Sequence, residues 1–228
     1  MTAVTAVLLD LDDTLVDHRG AAATGLAAWL TTLSVPPSDA LLERWQALER
    51  EHYDAYLAGD CSYAGQRRRR LRAFLPEAGL RAGTDDALDA AFEAYAECYK
   101  NAWRAYEDAA PFLAALTIPC GVLTNGDRHQ QRAKLARTGL AELVDVVCTS
   151  DELGVAKPDP RAFLAACERL GAIPEQTLFV GDMLEIDARP ACAAGLQGVW
   201  LDRDGRGGRH APARRIGSLA DLAATAVR

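Results

Sequence analysis

The feature that most constrains the fold is a change of rhythm along the chain. One short apolar run, residues 4–9, ends in a cluster of aspartates, and residues 19–103 then show helical periodicity only. After Pro111 the pattern alternates between strands, expected at 118–124, 144–149, 177–180 and 198–201, and helices. Runs that are apolar on both faces suit the strands of a parallel sheet covered by helices on both sides. We therefore predict an α/β fold: a Rossmann-like, doubly wound parallel sheet with an all-helical insertion after its first strand.

The domain boundaries follow from this change of rhythm. Residues 1–16 and 107–228 are assigned to the α/β core, and residues 17–106 to the helical cap. Within the cap, helices are expected over 26–33, after an N-cap at Ser38, over 62–78, and from Thr84. The stretch 202–215, rich in glycine and arginine, is expected to be a loop, and 219–227 a short terminal helix.

Composition excludes several classes of function. The 228 residues contain 25 Lys and Arg against 32 Asp and Glu, giving a net charge of −7, which argues against a general binder of nucleic acids or membrane surfaces. No uncharged apolar run approaches the ~20 residues of a membrane span, and the first ten residues lack the basic segment of a signal peptide. The six cysteines form no CxxC pair. We expect a cytoplasmic protein without nucleic-acid or membrane partners, and the oligomeric state stays open.

Polar residues follow four successive predicted strands. They are the segment Asp-Leu-Asp-Asp-Thr at 10–14, the segment Thr-Asn-Gly at 124–126, Lys157, and the segment at 181–187 that begins Gly-Asp and ends in Asp. Ligands of open α/β sheets bind outside the carboxyl ends of the strands. The sequence therefore predicts that these four groups converge on one site.

The residue types in these segments indicate phosphoryl chemistry. Several carboxylates held together disfavour their own ionisation unless a cation is present, and oxygen ligands without nearby His or Cys select a hard ion such as Mg²⁺. The ammonium of Lys157 would neutralise further negative charge on a phosphate. A carboxylate can then act as the nucleophile and form an aspartyl-phosphate. Lys157 is one of only three lysines in a chain that otherwise uses arginine. The choice of lysine at this position indicates that a compact positive charge is needed there.

These four segments, in this order and spacing, resemble the motifs of the haloacid dehalogenase-like hydrolase superfamily, and the all-helical insertion resembles the cap of that superfamily. The resemblance implies that Asp10 is the nucleophile and Asp12 the general acid/base. It implies that Thr124 and Lys157 bind the phosphoryl oxygens. Asn125 is a further candidate for phosphate binding, with orientation of the cap as its alternative role.

The resemblance also implies a metal site and a class of reaction. Mg²⁺ would be held by Asp10, the main-chain carbonyl of Asp12 and Asp182, with Asp187 in support. Dehalogenases of the superfamily lack an aspartate two residues after the nucleophile, so Asp12 favours a phosphatase acting on a small phosphorylated metabolite. For that role we predict that the pKa of Asp12 is raised enough to hold a proton near neutral pH.

Two alternatives stay open. A phosphomutase of the same superfamily would form the same aspartyl-phosphate and return the phosphoryl group to the substrate. A phospho-switch or binding protein would hold the aspartyl-phosphate without turnover. Neither is excluded by the sequence.

A run of four arginines, 67–70, lies in the third helix of the insertion. With 100° per residue and Leu71 as the origin, Arg67 and Arg68 fall on the apolar face, whereas Arg69 and Arg70 point away from it. Arg67, and less directly Arg68, are therefore candidates for substrate contact in the cleft between cap and core. The alternative is an ion pair within the cap or packing of the aliphatic stems over it.

Overall fold

The computed structural model describes residues 3–205 and 214–223, and these form two compact units. One unit contains the chain up to His18 and from Arg104 onward, and the other is Arg19–Trp103. Each boundary lies within three residues of the one expected from the sequence. No helix in the described ranges is both long and apolar enough to cross a membrane.

The first unit is built on a six-stranded, entirely parallel sheet in the order β3-β2-β1-β4-β5-β6. The strands are β1 (Ala6–Leu9), β2 (Cys120–Thr124), β3 (Val146–Thr149), β4 (Thr177–Gly181), β5 (Gln197–Leu201) and β6 (Arg214–Ile216). The chain runs outward from β1 to β3 and then returns to the other side of β1. The order therefore reverses between β1 and β4, and this switch point is where ligands bind in such sheets.

Helices cover both faces of the sheet. They are α5 (Ala109–Ala115), α6 (Arg128–Arg137), α7 (Ser150–Leu153), α8 (Pro160–Leu170), α9 (Arg189–Ala193) and α10 (Ala220–Ala223). Alternate residues of β1 serve the two faces: Val7 and Leu9 pack in one apolar cluster, and Leu8 packs in the other with Phe163 of α8. Because both faces are covered, every residue of β1 is buried, as the uninterrupted apolar run predicts.

The second unit consists of the helices α1 (His18–Thr32), α2 (Asp39–Leu57), α3 (Tyr63–Glu77) and α4 (Asp85–Asn101). Helix α1 begins at His18, one residue before the boundary of the unit. The N-cap expected at Ser38 is confirmed, because its side chain accepts a hydrogen bond from the Leu41 amide. Thr84, where a helix was expected to begin, caps α4 in the same way through the Ala87 amide. Aromatic rings fill the centre. The ring of Trp45 lies 4.8 Å from that of Phe74 and 4.6 Å from that of Tyr95.

One orientation expected from helical phase is wrong. Arg70 does not point away from the apolar face of α3 but is 3% exposed, with its guanidinium 3.8 Å from the Trp45 ring and paired with Glu49 at 2.8 Å. Because α3 packs on both α2 and α4, the buried arc is centred nearer Phe74 than Leu71 and includes the Arg70 position. The aromatic face and the carboxylate replace water around the buried charge.

The strand β6 also differs from the expectation of a loop over 202–215. Arg214 and Arg215 belong to this strand, which pairs with β5 and places Ile216 in the core. Because two of its three residues are arginine, this short edge strand shows no hydrophobic pattern in the sequence. Residues 206–213 of the expected loop, and 224–227 of the expected terminal helix, lie outside the described residues.

Candidate active site

The site begins where β1 ends, at the switch point of the sheet. Asp10 directly follows β1, and its main-chain amide donates to the carbonyl of Val180 on β4, at 2.9 Å. This bond continues the parallel pairing with β4 by one residue and ties the Asp10 backbone to that strand. The residue is 6% exposed, so its carboxylate needs partners within the protein.

Lys157 supplies the main positive charge. Its Nζ donates to Asp10 Oδ1 and to Asp187 Oδ1, both at 2.6 Å, and the residue is 4% exposed. One ammonium thus bridges two buried carboxylates from the ends of β1 and β4. The sequence predicted that Lys157 would lie near the aspartates, and the structure brings it to Asp10 and Asp187.

Asn125 is placed differently from the phosphate-binding role that the sequence suggested. Its side-chain amide donates through Nδ2 to the Lys157 carbonyl at 2.8 Å and accepts through Oδ1 from the Lys157 amide at 2.9 Å. Both ends of the carboxamide are therefore engaged with the main chain of Lys157. In this arrangement Asn125 positions the lysine, and phosphate binding by its side chain stays a prediction.

The end of β4 provides two further carboxylates. After Gly181 the chain forms a π-helical turn, Leu184–Ala188, a form often found at functional sites. This turn folds Asp187 back over the strand end, where it is 1% exposed and Oδ2 accepts from the Met183 amide at 3.0 Å. The indole Nε1 of Trp200 on β5 donates to the main-chain carbonyl of Asp182 at 2.8 Å. The segment 181–187 is therefore held by the hydrogen bond from Trp200 of the sheet and by the hydrogen bond between Met183 and Asp187 within the segment.

Asp10, Asp182 and Asp187 form a group that could hold a metal ion. Each offers one carboxylate oxygen, and these oxygens all lie within 4.8 Å of one another. Three hard oxygen donors suit Mg²⁺ better than a softer metal. For Asp12 the resemblance implied metal binding through the main-chain carbonyl, and its side chain points to α6.

Two buried residues of α6 hold the Asp12 carboxylate. Lys134, with no exposed surface, donates from Nζ to Oδ1, and Gln131, 1% exposed, donates from Nε2 to Oδ2 at 2.9 Å. The same Nε2 donates to Thr124 Oγ1 at 2.8 Å. Thr124 and Asp12, expected at one site from the sequence, are thus joined through Gln131.

Gln131 and Lys134 were not predicted from the sequence. The signal used for Lys157 applies equally to Lys134, since it is another of only three lysines in the chain. Gln131 and Lys134 are also three residues apart on the helix that follows Thr124, which places them on one face of that helix.

The environment shifts the pKa values of the two aspartates of the first segment in opposite directions. Burial raises the pKa of Asp10 to about 7; Lys157 opposes this shift, and the neighbouring charge of Asp187 adds to it. The prediction that the pKa of Asp12 is raised is wrong for the structure. Burial is the largest single effect and acts in the raising direction. The charges of Lys134 and His18 and the hydrogen bonds from Gln131 and Lys134 together outweigh it, so that the pKa of Asp12 lies below its ordinary value.

The two arginine candidates have partners inside the helical unit. The guanidinium of Arg67 lies between the rings of Tyr63 and Phe92, at 4.3 and 4.5 Å, and donates to Glu93 at 3.2 Å. Arg68 donates to Asp89 at 2.8 Å through Nε and also pairs with Asp85. These are the ion pairs that the sequence left as the alternative, and substrate contact by either arginine stays a prediction.

Comparisons with known proteins agree with this architecture. A family model described as haloacid dehalogenase-like hydrolase matches residues 4–195. The phosphoserine phosphatase of Thermus thermophilus is 35% identical over 167 residues, which is 71% of this chain and 66% of that enzyme. The ribulose-1,5-bisphosphate 5-phosphatase of Halopiger xanaduensis is 33% identical over 208 residues, 87% of this chain and 84% of that enzyme. A parallel sheet with carboxylates at its switch point and a helical insertion defines a class of hydrolases, and this chain belongs to the haloacid dehalogenase-like family.

Solved structures share the fold across both units. A magnesium-bound structure described as a HAD-hydrolase, YfnB of Bacillus subtilis, superimposes with a TM-score of 0.82, covers 97% of each chain and is 22% identical. Haloacid dehalogenases are also among the solved structures with a similar fold. The shared fold therefore leaves the reaction to be argued from the site itself.

Proposed function

We propose that the protein is a Mg²⁺-dependent phosphatase that hydrolyses small phosphomonoesters through an aspartyl-phosphate on Asp10. The observation that carries this proposal is the position of Lys157, whose ammonium bridges the carboxylates of Asp10 and Asp187 at 2.6 Å each. A carboxylate nucleophile beside a buried cation suits an incoming group that is itself strongly negative, such as a phosphoryl dianion. The phosphatases among the relatives support the same reading.

The metal proposal is supported by the donors present. The carboxylates of Asp10, Asp182 and Asp187 would hold Mg²⁺, together with the main-chain carbonyl of Asp12. When bound, the ion supplies positive charge that keeps neighbouring carboxylates ionised and neutralises phosphoryl oxygens.

In the first step, a carboxylate oxygen of Asp10 attacks phosphorus and forms a P–O bond. The bond between phosphorus and the ester oxygen breaks, and its electron pair stays on that oxygen, which takes a proton from the carboxyl of Asp12. Lys157 and the Thr124 hydroxyl donate to the phosphoryl oxygens during the transfer. A bound phosphoryl dianion repels the Asp12 carboxylate and so opposes the lowering of the Asp12 pKa by Lys134. A proton on Asp12 is therefore favoured only while substrate is present.

In the second step, the Asp12 carboxylate takes a proton from water as the water oxygen attacks phosphorus. The bond between phosphorus and Asp10 breaks, its electrons return to the Asp10 carboxylate, and inorganic phosphate leaves. The low pKa of Asp12 in the chain without substrate suits a step in which it begins as the ionised base.

Dehalogenation uses an aspartate nucleophile too, but a departing halide needs no proton. An acid/base carboxylate two residues after the nucleophile would then have no task. Asp12, together with the carboxylate group at the end of β4, therefore favours phosphate-ester hydrolysis.

The test is phosphate release from a panel of phosphorylated sugars, nucleotides and organic acids with Mg²⁺ present, ranked by kcat/KM. We expect turnover that EDTA abolishes and added Mg²⁺ restores. Chloride release from 2-chloropropionate without phosphate release would show a dehalogenase. An isomerised sugar phosphate without free phosphate would show a mutase, and one burst of product without turnover would show a phospho-switch.

A further inference from the structure

Gln131 uses both protons of its carboxamide on residues from the ends of two different strands. Its Nε2 donates to Thr124 Oγ1 at 2.8 Å and to Asp12 Oδ2 at 2.9 Å. The orientation of the carboxamide follows from its neighbours, because the opposite orientation would place a carbonyl oxygen against a carboxylate oxygen. A single amide nitrogen therefore sets the spacing between the two side chains.

This arrangement carries a cost to stability. The Oε1 atom of Gln131 is buried and accepts no hydrogen bond from any residue in the described ranges. A buried acceptor without a donor is unfavourable, and an apolar side chain of similar length would avoid it. A role in packing alone therefore does not account for glutamine at this position, whereas the two donated hydrogen bonds do.

The bond to Thr124 fixes what its hydroxyl can do. A hydroxyl group has one proton and two acceptor lone pairs. Since Oγ1 accepts from Gln131, its own proton remains for another acceptor, and a phosphoryl oxygen is the acceptor expected there.

Asp12 is held at both oxygens. Lys134 donates to Oδ1 and Gln131 to Oδ2, so neither rotation of the carboxylate nor a change of side-chain rotamer leaves both bonds intact. Gly126 makes room for this contact, because a Cβ at that position would lie 3.0 Å from Gln131 Nε2.

We propose that Gln131 and Lys134 are positioning residues, which together align the Thr124 hydroxyl and the Asp12 carboxylate for phosphoryl transfer. This inference rests on the phosphatase function proposed above. The donor atoms of both residues are already bound to Asp12 or Thr124, so we assign them no direct contact with the substrate. They act through Asp12 and Thr124.

The test compares Gln131→Met with the wild-type chain, and with Gln130→Met as the matched control on the same helix. Methionine keeps the length of the side chain, removes both donors and removes the unpaired oxygen. The substrates are 4-nitrophenyl phosphate, whose leaving group departs without a proton, and glycerol 3-phosphate, whose alkoxide needs one. Because kcat/KM reports the steps up to release of the alcohol, misplacement of Asp12 should affect the second substrate more.

For Gln131→Met we expect kcat/KM on glycerol 3-phosphate to fall about tenfold more than on 4-nitrophenyl phosphate, a fraction of the full general-acid contribution. Removal of the unpaired Oε1 offsets loss of the two donated hydrogen bonds, so the urea midpoint should stay close to that of the wild type. Gln130→Met should leave the ratio between the two substrates unchanged. Lys134→Met should shift the ratio in the same direction, and Gln131→Met keeps the test decisive if that variant does not fold.

Equal losses on both substrates, or losses that follow a lowered urea midpoint, would show a structural role and overturn the inference. If the wild type releases no phosphate from any substrate, the proposed function fails, and a crystal structure of Gln131→Met then decides the inference separately. Movement of the Asp12 and Thr124 side chains from their wild-type rotamers would support positioning. Unmoved side chains would overturn it.

Discussion

Gly181, the last residue of β4, is the position where one added methyl group should do the most harm to the carboxylate group. A Cβ built there would lie 2.4 Å from Asp187 Cγ and 2.5 Å from Oδ2, whereas ordinary contact begins at 3.4 Å. The Asp187 carboxylate would therefore have to retreat by about 1 Å, more than a side chain packed at interior density can yield without displacing others. It has little freedom to do so, because Lys157 and the Met183 amide hold its two oxygens.

We predict that Gly181→Ala lowers the free energy of unfolding by about 1–3 kcal/mol, the usual cost of overpacking a filled site. Displacement of Asp187 should also weaken Mg²⁺ binding by about 10–100-fold, as expected when a group that orients metal ligands is disturbed. Urea denaturation measures the first effect and isothermal titration calorimetry the second.

Gly217→Ala is the matched control, since the nearest atom to its added Cβ would be 3.8 Å away. It should leave both quantities close to those of the wild type. Wild-type stability and Mg²⁺ affinity in Gly181→Ala would refute the argument that Asp187 is held in place by the absence of a side chain at Gly181.

Three further predictions concern the nucleophile, a buried ion pair and the support of a metal ligand. Asp10→Asn should lower phosphate release by at least about a thousandfold, since the amide is no nucleophile, with an unchanged far-UV circular dichroism spectrum. Burial acts to raise the pKa of Asp108, but hydrogen bonds from Arg203, Ser218 and the Leu219 amide lower it overall, so Asp108→Asn should cost about 1–3 kcal/mol at pH 7. Because the folded pKa lies below the unfolded value, this difference should shrink as pH falls below about 4. Trp200→Phe removes the donor to the Asp182 carbonyl and should weaken Mg²⁺ binding about tenfold in calorimetry.

Each of these predictions has a clear contrary result. Turnover by Asp10→Asn would remove Asp10 from the role of nucleophile. A stability difference for Asp108→Asn that stays constant from pH 7 to pH 3 would mean that the carboxylate charge contributes nothing. Unchanged Mg²⁺ affinity in Trp200→Phe would mean that the Asp182 segment is held without the indole.

Sequence patterns predicted most of the backbone architecture because the signals for it are local. The apolar run at 4–9, the N-cap at Ser38 and the helix start at Thr84 each depend on signals within a few residues. The convergence of Asp10, Lys157 and Asp187 was also predictable, because parallel strands necessarily bring their carboxyl ends to one edge of the sheet. The edge strand β6 was not predicted, because its three residues, two of them arginine, show no hydrophobic pattern.

The directions of polar side chains and the balance of their charges were decided only by the tertiary structure. Lys134 and Gln131 lie more than a hundred residues from Asp12 in sequence, yet together with His18 they reverse the pKa shift that burial alone would produce. For the same reason, the side chain of Asn125 binds the main chain of Lys157, and Arg70 is buried in the aromatic centre of the helical unit. A polar side chain that is removed from water needs a hydrogen-bond or charge partner within the fold. The sequence shows which side chains are polar, but only the tertiary packing decides which groups lie beside them.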